Sequence, residues 1–274
     1  MKLLQSLSLV LLFTMLTTTK ATAQKITYKT VENIPYKTGN NLTAYEKERC
    51  KLDVYYPENL KDAPTIIWFH GGGLTGGGKF IPEPLKDKGA IIVAVNYRLS
   101  PKVKTPAFIE DAAAATAWVF KNISKYNGDP KKIVMSGHSA GGYLDLMVVM
   151  DKHYLAKYGI DSNDIAALVP FSGHTITHFT TRAERGIPGT QPIIDEYAPL
   201  YHVRKVAPPT LLITGGRKVE MLGRYEENAY FYRMMKVNGD DNIDIKELQG
   251  LSHNEMVQPA YVLLLNFMRQ QHLL

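Results

Sequence analysis

The feature that most constrains the fold is an alternation of short apolar segments with longer helical patterns. Seven segments of four to seven residues are rich in β-branched and other apolar side chains, and most of them are apolar on both faces. Strands of this kind lie inside a parallel sheet that helices cover on both sides. The pattern therefore predicts a single-domain α/β fold with a mostly parallel sheet. The predicted strands are Lys51–Tyr56, Thr65–Phe69, Ala90–Asn96, Lys132–Met135, Ile165–Val169, Thr210–Thr214 and Ile243–Leu248.

Helical patterns lie between these segments, with apolar residues recurring at helical spacing. The segment from Ser172 to Val203 differs, because it is rich in Thr, Pro and Gly and has few periodic apolar residues. A long irregular insertion in a compact domain is often functional, so residues 172–203 are predicted to form a lid or a pocket wall. The predicted helices are Ala107–Ser124, Ala140–Asp151, Arg224–Val237 and Met256–Gln271.

The first 23 residues have the pattern of a secretory signal peptide. Lys2 gives a charged start, Leu9–Leu16 is mostly apolar, and Ala21–Ala23 is a small-x-small cleavage site. An uncleaved anchor or a core helix is the alternative, although the apolar stretch is too short and Thr-rich to span a bilayer. We expect a mature domain over residues 24–274, periplasmic or secreted, with no stable membrane insertion after cleavage.

Composition excludes several classes of protein. The net charge of the chain is +6, but its basic residues are scattered, whereas nucleic-acid binding requires a clustered basic face. We therefore expect no nucleic-acid partner. Cys50 is the only cysteine, which excludes an internal disulfide and cysteine-rich zinc sites. A domain of this size buries enough surface to fold without either. The oligomeric state is left open.

The motif that points most directly to chemistry is Gly137-His-Ser139-Ala-Gly141. An apolar strand pattern precedes it and a helical pattern follows, which is the context of a nucleophile elbow. The tight turn raises the serine hydroxyl above the sheet edge, and the helix N-terminus favours developing negative charge. Ser139 is therefore predicted to be a nucleophile.

A second motif, His70-Gly-Gly-Gly73, directly follows a predicted strand. Consecutive glycines leave their N–H groups unobstructed, so they can donate hydrogen bonds to a carbonyl oxygen that becomes an oxyanion. We assign this oxyanion hole to the amides of Gly72, Gly73 and Ala140. His70 is predicted to fix the loop rather than to carry a proton.

Two other patterns partly match a phosphate-binding loop and a metal site. Gly73–Lys79 fits a phosphate-binding loop, but Phe80 stands where a Mg²⁺-binding Ser or Thr belongs. His174 and His178 are four residues apart, as metal ligands on a helix are, but no third ligand accompanies them. We therefore predict no metal site, and lining of the pocket mouth is the alternative for the two histidines.

The predicted general base is His253, which lies between the last predicted strand and the last predicted helix. Loops at that edge of a parallel sheet form ligand crevices. The acid that orients this histidine is less clear, because Lys218 occupies the place where an Asp or Glu is expected. Glu220, two residues further on, has a longer side chain and is the favoured acid; Glu226 and Glu227 are weaker candidates.

Together these motifs resemble the α/β-hydrolase superfamily, and within it the HGGG-type serine esterases, which include hormone-sensitive-lipase-like and bacterial acetyl- or feruloyl-esterases. The resemblance covers about residues 51–260. Asn96–Pro101 is similar to the Tyr-Arg-Leu-Ala/Ser-Pro segment of that branch. Pro106–Ala107, followed by Asp111 and Trp118, is similar to the Pro-Ala…Asp…Trp pattern that comes next in that branch.

The resemblance implies an α/β-hydrolase fold and a serine carboxylic-ester hydrolase without cofactor. Ser139, His253 and Glu220 would form the catalytic triad. The expected substrates are small-molecule or carbohydrate esters, with acetyl or feruloyl groups as candidates. An amide or formamide hydrolase with the same machinery remains an alternative. Lys218 motivates another, a catalytically weakened glycan-binding homologue, because a triad without its acid can lose about 10⁴ in turnover.

Overall fold

The computed structural model describes residues 25–221 and 223–274, so the predicted signal peptide lies outside the described residues. Within these described residues, eight strands form one sheet, and seven α-helices pack around it or connect its strands. The strands are β1 (Tyr28–Pro35), β2 (Lys51–Pro57), β3 (Ala63–Phe69), β4 (Ile91–Val95), β5 (Gly128–His138), β6 (Ala167–Phe171), β7 (Thr210–Gly215) and β8 (Ile243–Leu248). The helices are α1 (Ala44–Arg49), α2 (Ala107–Asn122), α3 (Ala140–Met150), α4 (His153–Ala156), α5 (Phe179–Ala183), α6 (Arg224–Val237) and α7 (Val257–Gln270).

The strand order is β1-β2-β4-β3-β5-β6-β7-β8. Strand β2 is antiparallel to both of its neighbours, and all other pairs are parallel. The prediction of a mostly parallel α/β sheet is therefore confirmed. The strand that the sequence missed is β1, an edge strand without a single buried side chain. Tyr28 and Ile34 pack on the two cores but are only partly buried, so β1 carries no continuous apolar run.

Two apolar cores lie on opposite faces of the sheet, as the alternation along β3 shows. Ile67 and Phe69 pack into the core that includes residues of α2, α3 and α6. Ile66 and Trp68 face the other core, which α7 covers. Successive strand residues point to opposite faces, so a strand that is buried on both has a continuous apolar sequence.

The parallel part of the sheet determines where the candidate site lies. Strands β3, β5, β6, β7 and β8 run in the same direction, so their carboxyl ends meet at one edge. The loops after them carry the glycine-rich segment, Ser139, Ser172, Glu220 and His253. Ligand crevices of open α/β sheets form at this edge.

The segment 172–203 is mostly irregular, with α5 and a 3₁₀ helix at Pro199–His202 as its regular parts. It lies next to the predicted pocket, since Phe179 contributes to the pocket wall. Its function as a lid or a wall stays a prediction. In the described part of the chain, no helix is both long and apolar enough to cross a bilayer.

Candidate active site

Ser139 stands at a sharp turn between β5 and α3. Its backbone has φ 58° and ψ −113°, a conformation that is costly for a residue with a side chain. The N–H group of Ser139 donates to the carbonyl of Phe171, at 2.8 Å, which ties the turn to the end of β6. Backbone strain of this kind at a strand-to-helix turn is typical of a nucleophile elbow.

Gly141 allows α3 to start directly against the neighbouring strand. A Cβ atom at this position would lie 2.0 Å from the carbonyl oxygen of Phe69, closer than any side chain can approach. The first turn of α3 therefore rests on the backbone at the end of β3. This contact brings the N-terminus of α3, which begins at Ala140, against the end of β3, where the glycine-rich loop starts.

The glycine-rich loop presents backbone donors to the same space. Gly72 has φ 111° and its carbonyl accepts from the N–H groups of Thr75 and Gly76, each at 3.0 Å, which closes a tight turn. A Cβ atom at Gly72 would lie 2.3 Å from the Gly76 carbonyl oxygen. Among the described residues, the N–H groups of Gly72, Gly73 and Ala140 donate no hydrogen bond. They are therefore free to bind an oxyanion.

His70 and Tyr97 support this loop from below. The Tyr97 hydroxyl donates to the His70 carbonyl at 2.7 Å, and the two rings stack with centroids 4.4 Å apart. The Nδ1–H of His70 donates to the Gly71 carbonyl at 2.6 Å. Burial lowers the pKa of His70 to about 4, so its ring is neutral. These contacts fit the prediction that His70 holds the loop.

Glu220 and His253 are in direct contact. Glu220 Oε1 lies 2.7 Å from His253 Nδ1, and the carboxylate also accepts the N–H groups of Gly215 at 2.9 Å and Met221 at 2.8 Å. Burial alone raises the pKa of Glu220, but the hydrogen bonds from His253 and from the two amides outweigh it and bring the pKa to about 2. Glu220 is therefore ionised at neutral pH.

The ionised carboxylate determines the tautomer of His253. Because Glu220 accepts at Oε1, the imidazole carries its proton on Nδ1 and leaves Nε2 free to accept one. Ser139 and His253 both line one pocket of about 510 Å³, without a direct hydrogen bond between their side chains. Catalytic hydrogen bonds are often long in the absence of substrate.

His138, the variable residue of the elbow motif, contacts the loop that carries His253. Its Nε2–H donates to the His253 carbonyl at 2.9 Å, and the two rings are 4.5 Å apart. Burial, followed by the nearby His253, lowers the pKa of His138 to about 4, so the ring is neutral at neutral pH. His138 therefore fixes the backbone of the histidine loop to the elbow.

The pocket beside Ser139 has apolar walls. Phe80, Phe179 and Met221 line it together with the glycine-rich loop. Phe80 is 48% exposed and Met221 is 42% exposed, although both are large apolar residues. Exposed apolar side chains around polar donors are typical of a site that binds a small, partly apolar ligand.

The alternatives weighed from the sequence have different places in the structure. His174 and His178 are both buried and do not line the pocket of Ser139, so the expected position at its mouth is wrong. His174 instead donates to Glu227, because α6 carries this buried carboxylate behind the pocket. The amine of Lys79 lies 2.6 Å from both carboxylate oxygens of Asp53. The positive charge that would bind a phosphate in a phosphate-binding loop is therefore already paired.

The remaining acid candidates also lie elsewhere. The side chain of Lys218 is exposed, and Glu226 pairs with Arg217 at 2.6 Å on the surface. Glu227 is buried beside Arg224 and His174. No group of three or more His, Cys, Asp or Glu side chains in residues 25–221 and 223–274 is arranged to hold a metal ion.

The sequence does not indicate that three further residues, His138, Ser172 and Arg224, belong to the site. His138 occupies a position that the elbow motif leaves free. Ser172 follows β6, whose predicted end at Val169 falls two residues short of the observed end. Arg224 is an arginine in the first turn of a predicted helix, where solvent exposure is the ordinary expectation, yet it is 1% exposed.

Relatives of known name share parts of this sequence. The carboxylesterase NlhH of Mycobacterium tuberculosis is 38% identical over 101 residues, which are 35% of this chain and 32% of NlhH. The esterase LipQ of the same species is 28% identical over 229 residues, 74% of this chain and 53% of LipQ. The chain thus spans about a third of NlhH and about half of LipQ.

A solved structure and a family model complete the comparison. A truncated carbohydrate esterase from gut microbiota has a TM-score of 0.72 at 21% identity, over 91% of this chain and 98% of that one, which shows the same α/β-hydrolase fold. The BD-FAE family model matches residues 52–219, a range that includes the glycine-rich loop and the elbow. Because this match covers more than half of the sequence, the chain belongs to the BD-FAE family.

Proposed function

We propose that this protein is a serine hydrolase that cleaves small acyl esters. One observation carries the proposal: an imidazole held by an ionised carboxylate lines the same pocket as a strained elbow serine and free backbone donors. An acyl transfer needs these three components, namely a nucleophile, a base with a fixed tautomer and an oxyanion hole.

In the proposed mechanism, Ser139 Oγ attacks the ester carbonyl carbon while His253 Nε2 accepts the hydroxyl proton. Glu220 stabilises the imidazolium that forms and does not itself take the proton. The imidazolium then protonates the leaving alcohol, which leaves an acyl group on Ser139. Water attacks this acyl-enzyme with His253 again as the base. The imidazolium then returns the proton to Ser139 Oγ as the carboxylic acid departs.

The oxyanion hole would consist of the N–H groups of Gly72, Gly73 and Ala140. In each tetrahedral intermediate, the former carbonyl oxygen carries the negative charge and accepts hydrogen bonds from these amides. The positive end of α3 adds to this stabilisation. Removal of one such donor in a serine hydrolase typically costs about 3–4 kcal/mol of transition-state stabilisation.

The pocket walls favour acyl groups that are small or flat and apolar. Phe80, Phe179 and Met221 supply apolar surface around the backbone donors. We therefore propose acetyl and feruloyl esters, with carbohydrate as the alcohol, as the substrates to test first. The substrate need not bring or bind a metal, because the proposed chemistry uses only protein groups.

The test compares the wild-type protein with Ser139→Ala on short p-nitrophenyl esters and on acetylated and feruloylated oligosaccharides. We expect the variant to lose about 10⁶ in kcat, as triad serines do. A matched control is Ser136→Ala, which removes a buried hydroxyl that donates to the Val169 carbonyl on the same strand. Equal rates from wild type and Ser139→Ala would contradict the proposal.

An N-formyl aromatic amide in the same substrate panel tests the amide-hydrolase alternative. Faster cleavage of the amide than of every ester would replace the proposed ester substrate with an amide. The glycan-binding alternative rested on Lys218 in the expected place of the acid. The contact of Glu220 with His253 supports an enzyme instead, because the imidazole has a carboxylate partner.

We further propose that the protein is exported, on the basis of the N-terminal signal pattern alone. Expression with the full N-terminus in a bacterial host should yield a protein in the periplasm or medium whose first residue is Gln24. Recovery only from the cytoplasm, with Met1 or Lys2 as the first residue, would contradict export.

A further inference from the structure

Ser172 lies at the carboxyl end of β6 and contacts both Glu220 and His253. Its hydroxyl donates to Glu220 Oε2 at 2.9 Å, and the same oxygen lies 3.0 Å from His253 Nδ1. The single hydroxyl proton goes to the carboxylate, because Nδ1 carries its own proton. The Nδ1–H is therefore shared between Glu220 Oε1 and Ser172 Oγ, and the three groups form a closed ring of hydrogen bonds.

The backbone at Ser172 is held in an unfavourable conformation. Its φ is 48°, in the left-handed region that residues with a side chain rarely adopt. The N–H of Ser172 donates to the Ile213 carbonyl at 2.7 Å. Such strain persists only where the surroundings enforce it, and it concentrates at functional sites.

Two buried side chains of α6 enforce this conformation. The guanidinium of Arg224 donates to the Ser172 carbonyl and, at 2.8 Å, to Glu227. Asn228 donates to the carbonyl of the next residue, Gly173, at 2.9 Å. Arg224 and Asn228 are each 1% exposed. A buried arginine is costly unless it is paired, and Arg224 obtains its pairing from the Ser172 carbonyl and from Glu227.

The position of Glu220 explains why the carboxylate needs this partner. Glu220 reaches His253 from a place two residues beyond the expected one, with a side chain that has one more rotatable bond than Asp. The amides of Gly215 and Met221 each hold one carboxylate oxygen from the side of its own loop. Ser172 holds Oε2 from a different strand, which fixes the direction of Oε1 towards Nδ1.

We propose that Ser172 is a positioning residue for Glu220, held in place by Arg224 and Asn228, and that it completes the orientation of His253. This inference rests on the proposed function, because it deepens the mechanism at the same site. Ser172 touches no reacting atom and acts through Glu220 and through the Nδ1 side of His253. Its loss is expected to lower kcat rather than to raise KM.

The experiment uses Ser172→Ala, which removes the hydroxyl, and Ser172→Gly, which also removes the strain of the positive φ. Both variants are expected to lose about 10- to 100-fold in kcat with KM within about twofold, the effect of one hydrogen bond to a charged group. The glycine variant keeps the assay usable if Ser172→Ala folds poorly. Wild-type kcat in either folded variant would overturn the proposal.

A double-variant cycle separates positioning from general damage. In a Glu220→Gln background the carboxylate that Ser172 holds is absent and its contact with His253 Nδ1 remains, so adding Ser172→Ala should cost less kcat than it costs in the wild-type background. The same loss in both backgrounds would overturn the proposal. Ser136→Ala serves as the control for removal of a buried serine hydroxyl.

A proton NMR spectrum gives a readout that does not depend on the substrate. The Nδ1–H of His253, assigned by its absence in His253→Ala, should give a far-downfield resonance that moves upfield in Ser172→Ala and stays in place in Ser136→Ala. An unchanged resonance in Ser172→Ala would overturn the proposal. If the wild type shows this resonance but cleaves no ester, the proposed function fails and the positioning contact stands.

Discussion

The two halves of the candidate active site are built in different ways. In the elbow half, backbone packs directly on backbone, and a Cβ atom at Gly141 would lie 2.0 Å from the Phe69 carbonyl oxygen. In the acid half, Glu220, His253 and Ser172 come from three separate loops and meet through side-chain hydrogen bonds. The first half depends on close packing and the second on the reach of side chains.

This difference explains why one half has a sequence motif and the other does not. Where backbone packs on backbone, the glycine that allows the contact cannot move to another position in the sequence, so the elbow glycines have a fixed spacing. A side chain that is one methylene longer can act from another position on its loop. Glu220 therefore takes the place next to His253, although Lys218 stands where the acid is expected.

The elbow half is broken most severely by Gly141→Ala. The added methyl group overlaps the Phe69 carbonyl, and because backbone cannot move aside we expect a loss of more than about 3 kcal/mol in the free energy of unfolding. The measurement is urea unfolding followed by circular dichroism. Gly159→Ala is the control, since its Cβ meets no atom within 4 Å and only its φ of 73° opposes the change. Equal losses in the two variants would show that packing at the elbow is not the cause.

The acid half should respond to side-chain length rather than to packing. Glu220→Asp shortens the side chain by one methylene and draws the carboxylate away from His253. We expect a loss of about 100-fold in kcat, with a melting temperature close to that of the wild type. Steady-state kinetics and thermal unfolding of the same preparation provide the check. An unchanged kcat would mean that the reach of Glu220 does not limit the reaction.

Low pH should destabilise the site, because the glycine-rich loop and the elbow each contain a histidine that the fold holds neutral. The pKa values of His70 and His138 fall from 6.5 to about 4 on folding, mainly through burial. Between these pH values the unfolded chain binds more protons, so stability is lost as the pH falls. From pH 7 to pH 5 we expect roughly 2 kcal/mol per histidine.

Urea unfolding at several pH values measures this dependence, and His138→Gln separates the two contributions. Without His138, the decrease between pH 7 and pH 5 should be smaller by about 2 kcal/mol. A pH dependence identical to that of the wild type would show that His138 is not held neutral by the fold.

The smallest effect is expected where the two halves meet. His138→Ala removes the hydrogen bond to the His253 carbonyl and the contact between the two imidazole rings. A less firmly held histidine loop should reduce kcat about tenfold. His153→Ala, on the exposed surface of α4, is the control. A loss of kcat no larger than that of His153→Ala would show that His138 does not couple the elbow half to the acid half.

Apolar periodicity predicts the buried framework well. Strands β3 and β4, in which every side chain is buried, begin and end within two residues of the predicted bounds, and β8 and α6 have the predicted bounds. The edge strand β1 escapes prediction, since none of its side chains is buried. The elbow and the glycine-rich loop are local in sequence, and the structure brings them to one pocket as expected.

The acid half is only partly predictable, because its contacts join distant parts of the chain. Glu220 and His253 can be predicted from the loops in which they lie, yet their contact joins residues that are 33 positions apart in the sequence. Ser172 contacts His253 across 81 residues, and Arg224 reaches the Ser172 carbonyl across 52. Neither contact has a spacing rule, since the tertiary fold alone brings the three loops together.

The central claim is that Glu220 activates Ser139 through His253. The rate at which a fluorophosphonate labels Ser139, followed by intact mass and peptide mapping, tests it without a known substrate. We predict that Glu220→Gln slows labelling by about 10²- to 10⁴-fold, whereas Lys218→Gln reacts like the wild type. Wild-type labelling of the Glu220→Gln variant at Ser139 would contradict the account.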